Sequence, residues 1–268
     1  MKKNLIITYL YGNNCLDMLE SEIYLYSLAR IKNCEKAIFV NGVSESNIES
    51  LKKFYDIIIP DNEVSQELGH LSIYRWLCNH IDEYDYVLNT DLRDVIFQRD
   101  PFEFFINNPD KKMFFTLEGM KIKDNDCNRA WHNWYRKNIK FHTDEYLESY
   151  VINGGVWGGK IDQVINFCLF IFSQINMISR TQVYNQQSMG YFYKFWKDNP
   201  QIMFCHPYTD EFCATGEAIK YGDISVSFDG KNMKDANDKP YYLIHQWDRT
   251  EYADAIRNKF KNTLTFTI

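Results

Sequence analysis

The chain has 268 residues, is 45% hydrophobic and 25% charged, and carries a formal net charge of −6. That length buries a sizeable core in one domain, and the composition is ordinary for a soluble globular protein. The negative balance excludes a general nucleic-acid binder, which needs a basic stripe, but leaves room for a local basic pocket around a nucleotide.

In chain order, the first half alternates strand and helix patterns. Asn4–Tyr11 reads as a strand, Leu16–Ile31 as a helix, Lys36–Val40 as a strand and Ser46–Phe54 as a helix. Asp56–Pro60 then reads as a strand, Ser65–Ile81 as a helix and Asp85–Thr90 as a strand. In Leu16–Ile31 the apolar residues Leu16, Leu19, Ile23, Tyr26 and Ala29 fall three or four apart, a helical stripe. Such alternation implies βαβ units on a parallel sheet. The second half predicts strands at Lys112–Leu117 and Val151–Trp157, and helices at Ile161–Met177, Thr181–Lys197 and Glu251–Asn262. Asp124–Tyr146 shows no clear period and reads as an acceptor-side insertion or loop. Asp229–Pro240 reads as an exposed turn region.

Seven cysteines stand far apart, without a C-x-x-C. An odd, scattered set suggests neither a disulfide framework nor a zinc site, and favours a reducing, cytoplasmic setting. Leu5-Ile6-Ile7 is too short an apolar run for a signal peptide and reads as the first strand. Val164–Ile178 is shorter than the ~20 residues that span a bilayer and contains Asn166, Ser173, Gln174 and Asn176. It reads as a buried helix. No transmembrane segment is expected, and peripheral contact with the inner face of a membrane stays open.

The stretch with most chemistry is Tyr84–Phe102. The apolar run Tyr86-Val87-Leu88 ends in Asn89-Thr90 and delivers Asp91 and Asp94. Carboxylates at the carboxyl end of such a strand sit where open α/β sheets bind ligands. Two hard oxygen ligands close together suit Mg²⁺ or Mn²⁺. In an isolated D-x-x-D, the same residues serve as turn formers.

The motif is not isolated. Asp91-Leu92-Arg93-Asp94, with Val95, Phe97, Gln98, Asp100, Pro101 and Phe102 after it, resembles the metal-binding segment of glycosyltransferases with the A-type fold. Their common motif is D-x-D; here Arg93 takes the second position and Asp94 follows. The D-x-x-D version resembles the collagen-modifying glycosyltransferase domains. Three more segments match in order: Phe114–Glu118, Ile152–Gly159 and Tyr242–Arg249. The resemblance implies one α/β domain over 1–268 with a Rossmann-like, mostly parallel central sheet flanked by helices. Residues 1–100 would form the nucleotide and metal half, and 101–268 the donor-sugar and acceptor half.

It also implies roles. His245, after the apolar run Tyr242-Leu243-Ile244, becomes the third metal ligand beside Asp91 and Asp94, and a mixed set of this kind suits Mn²⁺ better than Mg²⁺. Thr8, Tyr9 and Tyr11, closing the first strand, would meet the nucleotide or simply lead into a Gly turn, and Arg75 would face the donor or serve structurally. Arg249 would grip the diphosphate bidentately, its ordinary alternative being a surface ion pair. Asn153, Gly154 and Gly155 would lie against the donor sugar, or form a β-bulge. Trp157 would floor the sugar site or fill the core. Gln186 would bond a sugar hydroxyl, although Asn185 stands where related enzymes carry a carboxylate. Glu118 is then the carboxylate best placed for catalysis, its alternative being a solvated strand end.

The expected function is therefore metal-dependent transfer of a sugar from a nucleotide diphosphate sugar, a UDP-sugar for preference, to a saccharide or glycoconjugate acceptor. The lack of a decisive base leans towards retention of configuration. Two other readings compete. A sugar-phosphate nucleotidyltransferase would carry a Gly-rich basic loop after the first strand, and Tyr9–Asp17 lacks one. A degenerate nucleotide-sugar-binding domain is consistent with Asn185 but not with an intact Asp91, Asp94 and His245.

Overall fold

The computed structural model describes residues 2–13, 16, 18–62, 68–138, 144–176, 184–221 and 226–264. Strands β1 (Lys3–Tyr11), β2 (Glu35–Asn41), β3 (Ile57–Pro60) and β4 (Tyr84–Thr90) alternate with helices α1 (Leu19–Ala29), α2 (Glu45–Leu51) and α3 (Gly69–Asn79). β5 (Val95–Phe97), α4 (Pro101–Asn107), β6 (Met113–Lys121), α5 (Asp126–Asn138), β7 (Tyr150–Lys160) and α6 (Ile161–Asn176) follow. The chain then forms α7 (Tyr184–Trp196), β8 (Ile202–Cys205), β9 (Cys213–Thr215) and α8 (Gly216–Tyr221). It closes with β10 (Ser227–Phe228), β11 (Met233–Lys234), β12 (Leu243–His245) and α9 (Ala253–Leu264).

Among the described residues the main sheet has seven strands in the order β3-β2-β1-β4-β7-β6-β8. β1, β2, β3 and β4 run parallel, as do β6 and β8, and β7 is antiparallel to both its neighbours. The continuous apolar run of β1 explains its central place. Leu5 and Ile7 point to one face, where they pack with Ile73 and Leu77 of α3 and with Val164 and Phe167 of α6. Ile6 and Leu10 point to the other, against Leu28 of α1 and Phe102 of α4. Strands buried on both faces read as continuous apolar runs, as Leu5-Ile6-Ile7 does.

This order positions the site. From β1 the chain winds outward to β2 and β3, then returns across β1 to β4. The crevice between the carboxyl ends of β1 and β4 is thus a topological switch point. It is stitched by two bonds: Thr8 Oγ1 donates to the Thr90 carbonyl at 2.7 Å, and Tyr24 Oη lies 2.9 Å from Thr90 Oγ1. A smaller sheet, ordered β5-β12-β9, abuts this end. Its Ile96, Ala214 and Ile244 pack against Ile23 of α1 and Ile256 and Phe260 of α9.

Several expectations need correction. Residues 124–146 are not an aperiodic loop but contain α5. Asn125 caps it, its Oδ1 accepting from the Asn128 amide at 2.9 Å, as short polar side chains do at helix starts. The buried face of α5 carries Asn128 and His132, so a hydrophobic stripe does not reveal it. Asp229–Pro240 is not wholly exposed either. Met233 is buried, and its amide donates to Gln98 Oε1 at 2.7 Å, a tie from far along the chain. β5, α4, β8, β9 and α8 are too short for periodicity to show. Residues 65–67 and 181–183 of the expected helices lie outside the described residues. Trp157 is core, stacked on His70 with ring centroids 5.3 Å apart.

His70 itself is buried between Trp157 and Phe167, and neither ring nitrogen has a hydrogen-bond partner among the described residues. Burial pushes its pKa from 6.5 down to about 4. The imidazole is neutral in the fold and charges only on unfolding in that window. Its contribution to stability is therefore complete above pH 6.5 and is lost as the pH falls towards 4. Urea unfolding across this range should show an acid loss of about 3 kcal/mol that His70→Phe removes. An unchanged pH profile in that variant would assign the acid sensitivity elsewhere.

Candidate metal centre

Three short segments converge at the switch point. Asp91 follows the last residue of β4, Asp94 precedes β5, and His245 ends β12. The strand pairing holds them in register, with His245 opposite Val95 on one side and Thr215 on the other. The Gln246 amide donates to the Asp94 carbonyl at 2.8 Å, and the Asp91 amide donates to the Gly155 carbonyl at 2.8 Å. The loop bearing both carboxylates is thereby tied to β12 and to β7.

His245 Nε2 lies 3.3 Å from Asp91 Oδ2 and 3.2 Å from Asp94 Oδ1. One ligand atom from each residue falls within 4.8 Å of the others. The side chains of His245 and Asp94 are 3% and 6% exposed, whereas Asp91 is 39% exposed and opens to the cleft. Burial alone would raise the Asp94 pKa. The His245 ring, then Arg93 and Arg249, overcome this and hold Asp94 well below the usual carboxylate range. Burial likewise would lower His245, and the two aspartates instead raise it to about 10. Both shifts report one fact: two carboxylates here need a positive partner.

Two guanidiniums flank the pair. Arg93 Nη2 is 3.3 Å from Asp94 Oδ2 and 3.5 Å from Asp248 Oδ2, so it braces the loop while also lining the cleft. Gln246 adopts a left-handed backbone, φ 58°, uncommon for a residue with a side chain. It turns the chain from β12 into the tight turn Trp247–Arg249. Arg249 thereby swings back, 3.3 Å from Glu217 and 3.9 Å from Asp94, and half exposed on the cleft wall.

Behind His245 lies Asn153 of β7, itself buried. Its Oδ1 is 2.8 Å from His245 Nδ1 and accepts from the Gly155 amide at 2.9 Å. Its Nδ2 donates to Glu118 Oε1 at 3.3 Å. Gly155 is required beside them, because a Cβ there would stand 2.4 Å from both Asp91 Oδ2 and His245 Cε1.

The triad floors an open cleft of about 1300 Å³. Tyr9 and Tyr11 line it, with Tyr11 about half exposed. Gly154, Gly155 and Glu118 line it as well, and Asp124, Asn125, Asn128 and Trp131, around the start of α5, add a further stretch of wall. Among the residues singled out from sequence, Asp91, Asp94, His245, Arg249, Tyr9, Tyr11, Glu118, Asn153, Gly154 and Gly155 are thus brought together. Thr8 lies beneath, its hydroxyl spent on Thr90. Arg75 is exposed on α3 and does not line the cleft. The side chain of Gln186, like that of Asn185, lies outside the described residues. Sequence reading missed Tyr150, Glu217 and Tyr221 on the rim, which no motif marks.

No protein-family model matches this chain, and no curated protein matches it. Among solved structures it is similar to a galactosyltransferase, LgtC, in complex with donor and acceptor sugar analogues. The TM-score is 0.55 at 13% sequence identity, and the match covers 98% of this chain and 96% of that one. This likeness establishes the fold, the A-type glycosyltransferase fold over nearly the whole chain. No described helix is long and apolar enough to cross a membrane.

The tight seat of Gly155 yields a prediction. Gly155→Ala should displace Asp91 and His245 and weaken Mn²⁺ binding by on the order of 10-fold or more, with circular dichroism unchanged. Wild-type affinity in that variant would show that the triad does not hold the ion.

Proposed function

We propose that this protein is a metal-dependent glycosyltransferase, taking a sugar from a nucleotide diphosphate donor and passing it to a saccharide or glycoconjugate hydroxyl. The observation that carries this reading is the Asp91, Asp94 and His245 cluster at the switch point of an A-type fold. Two carboxylates and an imidazole form a hard-to-borderline donor set, which fits Mn²⁺, with Mg²⁺ as the second choice. A divalent ion held there supplies Lewis-acid neutralisation of a diphosphate leaving group.

In the reaction the bond from the anomeric carbon to the diphosphate oxygen breaks, and a bond to the acceptor oxygen forms as that hydroxyl passes its proton to the departing diphosphate. Arg249, on the cleft wall beside Asp94, meets the diphosphate and adds charge-assisted hydrogen bonds as negative charge grows. Tyr9 and Tyr11 pack on the nucleoside, for which uridine is the first to test. Gly154 and Gly155 leave room for the donor sugar above the triad. Residues 1–100 supply the nucleotide floor and two metal carboxylates. The remainder supplies His245, Arg249 and the α5 wall. That wall, with the Trp131 indole and the Asn125 and Asn128 carboxamides, suits sugar hydroxyls and ring faces.

Incubation with a panel of nucleotide sugars and Mn²⁺ tests the class, with release of free nucleoside diphosphate as the readout. Turnover should vanish in excess chelator and return best with Mn²⁺. Asp91→Asn and Asp94→Asn should each cost on the order of 10³-fold in rate. Full turnover in chelator, or a product in which a nucleotide is joined to a sugar phosphate, would contradict the reading.

The acceptor wall gives a separate test. Trp131 lines the cleft, whereas Trp134 packs against the core. Trp131→Ala should raise the acceptor KM and leave donor hydrolysis by water nearly unchanged. Trp134→Ala should instead lower thermal stability. Equal loss of both reactions in Trp131→Ala would assign that residue to packing.

A further inference from the structure

Asn153 presents one oxygen to two donors at once. The Gly155 backbone N–H can only donate, so the side-chain atom facing it at 2.9 Å is the carboxamide oxygen. The same oxygen lies 2.8 Å from His245 Nδ1. An oxygen that accepts one bond from an amide cannot donate to a ring nitrogen, so Nδ1 must carry the proton. This leaves Nε2 as the atom turned to Asp91 and Asp94. The other end of the carboxamide is fixed too, since Nδ2 donates to Glu118 Oε1 at 3.3 Å. Glu118 and Asn153 are both buried, so the bonds are shielded from competing water. The result is one line, carboxylate to carboxamide to imidazole to the two aspartates, drawn from β6, β7 and β12 in turn.

We infer that Asn153, backed by Glu118, is the positioning pair that fixes the ring orientation and tautomer of His245, presenting Nε2 as a metal ligand. This rests on the metal reading of the triad given above. A ligating histidine is oriented by the acceptor on its other nitrogen, and such partners tune affinity without touching the ion. Glu118 polarises the Asn153 carboxamide, making its oxygen the stronger acceptor. In this arrangement Glu118 acts on the metal site through Asn153, and its carboxylate is turned to β7 rather than left free as a base.

The test reads Mn²⁺ affinity of the full chain without any substrate, by calorimetric or paramagnetic-resonance titration. Asn153→Ala should lower that affinity by roughly 10–100-fold. In a His245→Ala background the same change should have no further effect, because Asn153 works only through the ring. Asn153→Asp combined with Glu118→Gln reverses the polarity of the outer bond but keeps the accepting oxygen, and should recover most of the affinity. In the wild-type protein, nitrogen NMR with diamagnetic Zn²⁺ should find the retained proton on Nδ1, a reading that needs no variant to fold. Wild-type affinity in Asn153→Ala, an equal loss in both backgrounds, or a proton on Nε2 would overturn the assignment. Absence of Mn²⁺ uptake by the wild type would instead remove the metal reading on which it rests.

Discussion

Two carboxylates a few ångströms apart repel each other, and the cost grows as they leave water. Asp94 is almost fully buried and Asp91 stands beside it. Much of the structure around them serves to make that juxtaposition tolerable. His245 sits between them, Arg93 braces Asp94 from one side, and Arg249 approaches from the other. An anionic pair so arranged, one carboxylate buried and the other open to the cleft, is a receptor for positive charge. The protein meets part of the demand from its own side chains, and the open face of Asp91 leaves the cleft side available to a cation.

The topology explains why the pair stands where it does. β4 returns past β1 to open a crevice at the carboxyl ends, and the next few residues bend away into the small second sheet. That sheet brings His245 from the far end of the chain into register with the residue after Asp94. Residues from the first hundred positions and from the end of the chain are therefore joined in one cluster. Neither the first hundred residues nor the rest completes it alone. The close approach of β7, permitted by Gly155, and the left-handed Gln246 are the local distortions that this junction demands.

Legibility from sequence follows the range of the interactions involved. The alternation of strands and helices through Thr90 is local, so the parallel half and the strand-end carboxylates could be read directly. His245 was legible only through resemblance, since nothing near it in sequence distinguishes a ligand from an ordinary strand-end histidine. The α5 wall was hidden because two polar residues, Asn128 and His132, are its fully buried described side chains, with Trp134 only partly buried beside them. Glu217 and Tyr221 reach the rim by the packing of a six-residue helix, which carries no period to detect. Asn153 was marked by its neighbouring glycines, but where its carboxamide turns depends on a histidine 92 residues away. Arg75, suggested by analogy, lies on α3 outside the cleft.

On the proposed reading, these three side chains form one divalent-metal site facing a nucleotide cleft. Crystals grown with Mn²⁺ and uridine diphosphate, measured at the manganese absorption edge, test it directly. The account predicts one anomalous peak in contact with Asp91, Asp94 and His245 Nε2, with the diphosphate completing its coordination. A manganese peak elsewhere, or a diphosphate bound in the cleft with no ion at the triad, would contradict it.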